Sequence, residues 1–220
     1  MGRRDEVLQF IRWYAGFQLS DGQIPCCLDP RGAEVVPEHD SHGEFIHILT
    51  EYYRYTHDTG LVRELWPAII RTVDAINHLR QQRMTEEYRS GSKYAFFGLM
   101  PESISHEGYS GHPVHAFWDD FWTLRGLKDA GILAEVMESE KDVQKFRSLR
   151  DSFREDLKSA IHRTIADKKL TYIPSSVELG DFDVNSTAIA INLGLDDELL
   201  PIVPLNRTFD DYRKHFEKRL

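Results

Sequence analysis

Two aspartates and two tryptophans lie within five consecutive residues, a spacing that could support sugar chemistry. A loop rich in serine, histidine, glycine and glutamate leads into the segment Trp118-Asp119-Asp120-Phe121-Trp122. On a helix, residues three and four positions apart share a face, so Trp118, Asp119 and Trp122 would lie together. Flat apolar rings can cover the C–H faces of a sugar, and carboxylates can bind its hydroxyls or transfer protons. The alternative is a buried aromatic stripe beside an acid that favours the helix dipole.

Hydrolysis of a glycosidic bond usually requires two carboxyl groups, one of which must hold a proton at the working pH. Asp119 is our first candidate for the general acid, because apolar neighbours would raise its pKa. Asp120 is the second candidate, and Glu102 in the preceding loop could be the partner. Binding of a sugar hydroxyl, or a favourable position at the helix start, stays open for Asp119. A solvated loop acid is the alternative for Glu102.

Further candidates for substrate binding lie in three loops, or in the first turns of the predicted helices that follow them. Together with Trp118 and Trp122, they are His106, Tyr109, His115, Glu38, Asp40, Asp181 and Asp183. The acids also have structural alternatives. Asp40 or Ser41 could cap a helix, with Glu44 completing a capping box. Asp181 and Asp183 could form a turn followed by a helix cap.

The histidines supply enough donors for a zinc ion, in His-x-x-His spacings at 39–42 and 112–115. Both spacings lie in predicted loops, and the adjacent Cys26 and Cys27 are not placed to help. We therefore expect no metal ion and no cofactor. The sequence also contains neither a Gly-rich phosphate-binding pattern nor a G-x-S-x-G segment.

The composition excludes several classes of partner. Among 220 residues, 27 Lys and Arg oppose 36 Asp and Glu, which gives a net charge of −9. A general nucleic-acid binder or an anionic-membrane binder needs a basic face, so we expect neither partner. The longest apolar runs are too short for a membrane span, and the first residues do not resemble a signal peptide. With neighbouring cysteines that cannot join distant segments, we expect a cytoplasmic protein.

Helical periodicity dominates the chain and no alternating strand pattern stands out, so we predict an all-α fold. The predicted helices are Asp5–Leu19, Gly43–His57, Leu61–Arg83, Val114–Asp129, Ile132–Glu138, Lys141–Asp167, Ser186–Leu193 and Thr208–Arg219. Ser90–Pro113 is predicted to be a long loop. Four aromatic residues are assigned to the core: Trp13, Tyr14, Trp66 and Phe153. Glu44–Arg83 and Phe117–Ala166 each pair an aromatic-rich helix with a charged one, and such repeats build a solenoid or a closed toroid.

Three segments resemble the six-hairpin glycosidase superfamily, the (α/α)6 toroids that include glucoamylases and trehalases. They are Asp21–Pro67, Gly98–Trp122 and Gly180–Ala188. The resemblance implies that aromatic helices line the ring, that active loops collect at one end, and that the bond is broken with inversion. Six hairpins mean about twelve helices, whereas eight are predicted here. Residues 1–220 are therefore expected to be one domain that is a portion of a larger catalytic domain. The remainder of the barrel, or a second copy of the chain, would be its protein partner.

The favoured function is therefore hydrolysis of a glycosidic bond in a carbohydrate substrate, and a phosphorylase is the closest variant. Two other classes stay open. A sugar-binding or catalytically inactive toroid would keep the aromatic rings without a working acid pair. A helical-repeat interaction protein would use the aromatic stripes only as core, although its loops would not need so many acids and histidines.

Overall fold

The structure is a computed structural model that describes residues 2–34, 36–105, 108–109, 111–195 and 198–218. Its α-helices are α1 Arg4–Ala15, α2 Asp40–Thr56, α3 Thr59–Gln81, α4 Phe117–Val136, α5 Glu140–Lys168, α6 Val184–Asn192 and α7 Ile202–Glu217. Short 3-10 helices form at Glu86–Tyr88 and Gly91–Phe96. A small hairpin pairs β1 Cys27–Asp29 with β2 Gly32–Glu34, and Leu28 lies opposite Ala33. The predicted all-α class is confirmed. Each helix in the described ranges is too short or too polar to cross a bilayer.

The helices form repeated hairpins, α2 with α3 and α4 with α5, and the first members of the two hairpins pack against each other. Most residues of α4 are buried, whereas α3 and α5 expose charged faces. Helices α2 and α4 are therefore inner helices, and α3 and α5 are outer helices. This arrangement is part of an (α/α)6 toroid, as predicted. At one end, short turns of residues 57–58 and 137–139 join the members of each hairpin.

The inner helices approach each other backbone to backbone. A Cβ atom on Gly43 would lie 2.0 Å from the carbonyl oxygen of Trp122, and one on Gly126 would lie 2.6 Å from Cα of Gly43. Protein interiors are too densely packed to admit such overlaps without movement of the helices. The two glycines therefore set the distance between α2 and α4.

We expect Gly43→Ala to destabilise the protein by about 1–3 kcal/mol, because the added methyl group forces the helices apart. Helix propensity alone would favour alanine and raise the free energy of unfolding. A decrease in the free energy of unfolding would therefore report the packing effect. Gly111→Ala is the control, since nothing lies within 4 Å of its added Cβ. Urea unfolding measures both variants. A stability of Gly43→Ala equal to or above that of the wild type would contradict the close approach.

A buried ion cluster joins the same two helices nearer their C-terminal ends. The side chain of Asp129 on α4 is fully buried. It lies 2.6 Å from Nδ1 of His47 and accepts hydrogen bonds from Arg54 at 2.9 Å and from Arg125 at 2.8 Å. Burial alone would raise the pKa of Asp129, but the hydrogen bonds from His47 and Arg125 hold it below its ordinary value. The cluster thus fixes the register of α2 against α4.

Several predicted boundaries are wrong. Helix α4 runs without a break through Gly131, and it begins at Phe117 because Val114 forms an antiparallel bridge with Ser103. Helix α7 begins at Ile202, several residues earlier than predicted, since a proline within the first turn is tolerated. The loop predicted from Ser90 to Pro113 contains a 3-10 helix.

The core predictions for the aromatic residues have mixed outcomes. Phe153 is fully buried, as predicted, and Tyr14 and Trp66 are half-buried against the core. The prediction for Trp13 is wrong, because this residue is 51% exposed. Only Ile11 of α1 is fully buried, so this helix covers the core with one narrow stripe and leaves its aromatic flank outside.

Candidate functional site

Three loops meet at the N-terminal ends of α2, α4 and α6. In the loop before α4, the backbone N–H of Ile104 donates to the carbonyl of Pro37, in the loop before α2, at 2.9 Å. The first residue of α4, Phe117, donates to the carbonyl of Ser175, in the loop before α6, also at 2.9 Å. Backbone hydrogen bonds therefore hold the three loops together, and most of the predicted site residues lie in this region.

Asp119 lies in the first turn of α4, is only 1% exposed and is surrounded by donors. The hydroxyls of Ser103 and Ser105 donate to its carboxyl group at 2.5 and 2.9 Å, and the backbone N–H of His39 donates at 3.3 Å. Burial, with the nearby charge of Asp40, outweighs these bonds and raises the pKa of Asp119 to about 8. Asp119 therefore holds a proton at neutral pH.

Asp40, the first residue of α2, is joined to α4 through a tryptophan. The indole N–H of Trp118 donates to its carboxylate at 2.9 Å. The structure thus brings together three predicted site residues, Asp40, Trp118 and Asp119. The capping box predicted for Ser41 is wrong, because the Ser41 hydroxyl donates to the carbonyl of Ile24 at 3.0 Å and leaves the helix start without a side-chain cap.

Asp120 is buried on another side of α4 and ties this helix to the preceding loop. The backbone N–H of Met100 donates to its Oδ1 at 3.0 Å. Its Oδ2 is buried and has no hydrogen-bond partner among the described residues. Burial raises the pKa of Asp120 well above its ordinary value and so favours the protonated form of this carboxyl group.

Glu102 belongs to a different cluster, around the buried His115. Its carboxylate forms an ion pair with Arg83 and lies 3.6 Å from Nε2 of His115. Nε of Arg83 donates to that same nitrogen at 2.8 Å, so Nδ1 carries the hydrogen that Glu178 accepts at 2.6 Å. Glu178 also accepts the backbone N–H of His115 at 2.9 Å. Nothing in the sequence indicates Glu178 as a site residue, because only the fold places it beside His115.

The structure directs Glu102 and Asp119 to different partners. Glu102 contacts Arg83, whereas the next residue, Ser103, donates to Asp119. Successive side chains in an extended segment point to opposite faces, which explains the separation. The two acids that the sequence suggested as a pair therefore belong to separate clusters, and it is Asp40 whose charge acts on Asp119.

A third cluster lies at the start of α6. The hydroxyl of Tyr109 and that of Ser176 each donate to Asp181, both at 2.6 Å. Asp183 accepts the backbone N–H groups of Asn185 and Ser186 at 3.1 and 2.9 Å, so its capping alternative is confirmed. Glu38 lies in the loop before α2, close to the two cysteines. His106 lies outside the described residues.

Two buried histidines border the site. Their rings lie 6.0 Å apart, and neither ring nitrogen of His39 has a hydrogen-bond partner in the described part of the chain. Nδ1 of His42 lies 3.1 Å from the carbonyl of His39. Burial lowers the pKa of His39 to about 3 and that of His42 to about 4, so both rings are neutral. The sequence signal for this pair is the His-x-x-His spacing, which indicates metal binding rather than two buried neutral rings.

Trp122 faces a groove rather than the cluster around Asp119. Its ring lies 5.7 Å from that of His47. Both residues line a groove of about 540 Å³ with the aromatic side chains of Phe10, Trp13 and Tyr14. The predicted platform of two tryptophans is therefore divided between the indole that binds Asp40 and the one in this groove.

Comparison with known proteins reveals the fold. The chain matches no protein-family model and no curated protein. Among solved structures, a rhamnosidase from Klebsiella oxytoca with rhamnose bound matches 95% of this chain, with a TM-score of 0.65 and 19% sequence identity. The match spans 38% of the rhamnosidase, so this chain covers less than half of that protein. At this identity, the likeness establishes the shared helical fold alone.

Proposed function

We propose that this chain is part of a carbohydrate-active enzyme that hydrolyses a glycosidic bond. The observation that carries the proposal is the buried Asp119, whose raised pKa keeps it protonated beside Asp40 where three loops meet. A general acid must hold its proton at neutral pH, and burial near another acid is the usual means. The likeness of the fold to a rhamnosidase supports the same class of reaction.

In this proposal, Asp119 protonates the leaving oxygen and Asp40 is the second carboxylate. Two such groups on either side of the scissile bond meet the requirement of glycoside hydrolysis. Trp118 orients Asp40 through its indole N–H, and Ser103 orients Asp119 through its hydroxyl. Because Asp119 is 1% exposed, the loop that carries Ser105 must shift before a glycosidic oxygen can reach it. Ser105 has a left-handed φ of 46°.

We further propose that the chain belongs to the six-hairpin superfamily and is one helical domain within a larger catalytic domain. Inversion is proposed from this resemblance alone. Apolar side chains are exposed on both terminal helices, with Phe10 44% exposed on α1 and Val203 74% exposed on α7. These are the surfaces on which the remainder of a barrel, or a second copy, would lie.

The test combines sugar binding with turnover on the 220-residue chain. Ligand-observed NMR with a panel of monosaccharides, rhamnose included, is expected to detect selective binding that weakens in Trp118→Phe. Trp66→Phe is the matched control, because this indole lies on the outer helix α3 and packs against Phe146. Release of chromophore from aryl glycosides would identify a hydrolase, and binding without release would favour an inactive sugar-binding toroid. Absence of binding to every sugar would overturn the proposal and favour an interaction protein.

A further inference from the structure

The small β-hairpin brings two cysteines and a glutamate together beside the candidate site. Cys26 and Cys27 lie where the chain enters β1, and Glu38 lies after the chain has returned along β2. The two Sγ atoms are 3.0 Å apart, and both lie within 4.8 Å of a carboxylate oxygen of Glu38. Both thiols are free.

These donors fit one class of ion. Thiolate sulfur and carboxylate oxygen are both ligands of zinc, at Zn–S distances of about 2.3 Å. Two sulfurs at a tetrahedral angle around zinc lie about 3.8 Å apart, so the observed pair would have to open by less than about 1 Å. Calcium and magnesium prefer sites made entirely of oxygen, and two thiols disfavour both ions.

We infer that Cys26, Cys27 and Glu38 form a binding site for a thiophilic divalent cation such as Zn²⁺. Three protein ligands leave one tetrahedral position for water or another small ligand. The sequence alone predicts no metal ion here, because the adjacent cysteines provide too few ligands. The hairpin changes this, since it returns the chain and places Glu38 beside them.

The location of the site gives a bound ion a structural consequence. Glu38 is followed by His39 and then by Asp40. The backbone N–H of His39 donates to Asp119, and the carboxylate of Asp40 accepts from Trp118. An ion held by Glu38 and both cysteines would tie the hairpin to the start of α2. The inference does not depend on glycoside hydrolysis, because it rests on the three ligands themselves.

Cobalt titration of the reduced chain tests the inference. A thiol assay first verifies that each chain has two free thiols. Co²⁺ is then expected to produce a sulfur-to-cobalt charge-transfer band that saturates at one ion per chain. Zn²⁺ should displace the cobalt, whereas Mg²⁺ and Ca²⁺ should not. Cys26→Ser and Cys27→Ser should each abolish the band. Absence of the band in the wild type, its persistence in either serine variant, or saturation at one ion per two chains would overturn the site.

The role of Glu38 requires a separate variant. Glu38→Gln removes the charged oxygen ligand and keeps the side-chain size, so we expect the affinity for Co²⁺ to fall about tenfold or more. Glu44→Gln is the control, because Glu44 lines the neighbouring groove but is not one of the three ligands, and its affinity should stay unchanged. Circular dichroism verifies that both variants fold. Equal affinity of Glu38→Gln and the wild type would overturn the three-ligand site.

Discussion

Asp119→Asn is expected to lower the turnover of an aryl glycoside about 10²- to 10⁴-fold, the usual contribution of general acid catalysis. Ser103 and Ser105 donate to different oxygens of Asp119, so in asparagine the amide oxygen keeps one of these bonds and the NH2 group can donate to the other hydroxyl. The side chain can no longer give up an acidic proton. The loss should grow with the pKa of the leaving phenol, because poor leaving groups depend most on protonation. Steady-state kinetics over a series of substituted phenyl glycosides measures this dependence.

Asp120→Asn provides the matched control for this prediction. Asp120 is the neighbouring residue, is equally buried and also has a raised pKa, but it accepts a hydrogen bond from the backbone of Met100. An amide oxygen can accept the same bond, so we expect less than about a tenfold change in turnover. Equal losses in both variants, or a loss at Asp119 that does not vary with the leaving group, would contradict the assignment.

The raised pKa of Asp119 also predicts how pH acts on the protein. Turnover should fall as pH rises through about 8, where Asp119 loses its proton. The same shift affects stability, because the folded protein binds this proton more tightly than the unfolded chain. The stabilising contribution is complete below the ordinary Asp pKa of about 4, and it is lost as pH rises towards 8. Urea unfolding should therefore show that Asp119→Asn gains stability relative to the wild type as pH rises.

Loss of the Asp129 carboxylate should destabilise the protein by about 3–5 kcal/mol, the typical effect of removing one partner from a buried ion pair. Asp129→Asn leaves Arg125 and Arg54 near a site that no longer neutralises them. Because the folded-state pKa of Asp129 is lowered, its contribution is present above the ordinary Asp pKa and is lost as pH falls through the folded-state value. Urea unfolding at neutral and acidic pH measures the difference, which should shrink in acid.

Asp151→Asn is the control for this second prediction. Asp151 lies on the outer helix α5, its side chain is 61% exposed and it pairs with Arg150. Exposed ion pairs contribute little, so we expect a change within about 0.5 kcal/mol. If Asp129→Asn lowered the free energy of unfolding at neutral pH by no more than this control, the buried cluster would not hold α2 against α4.

The sequence predicted the features that depend on local pattern. The apolar spacing of α2 and α4 indicated helices, and it placed Asp119 near the start of α4. Their aromatic content, read with the toroid resemblance, indicated that they line the inside. Contacts between distant segments were beyond that reasoning. Asp40 meets Asp119 only because α2 and α4 cross, and Glu178 reaches His115 only because two loops pair. Each strand of the hairpin has three residues, which is too few for an alternating pattern.

The interlocked loops have a consequence for how this protein can change in evolution. The carbonyl of Pro37 accepts a hydrogen bond from Ile104, in the loop that leads to Phe117. Phe117 in turn donates a hydrogen bond to the carbonyl of Ser175. A substitution in one loop therefore displaces the other two, and neighbouring sites of this kind do not combine additively. Epistasis should be strong at this end of the fold and weak at the short turns opposite. Substitutions that alter substrate preference are accordingly expected to covary among the three loops.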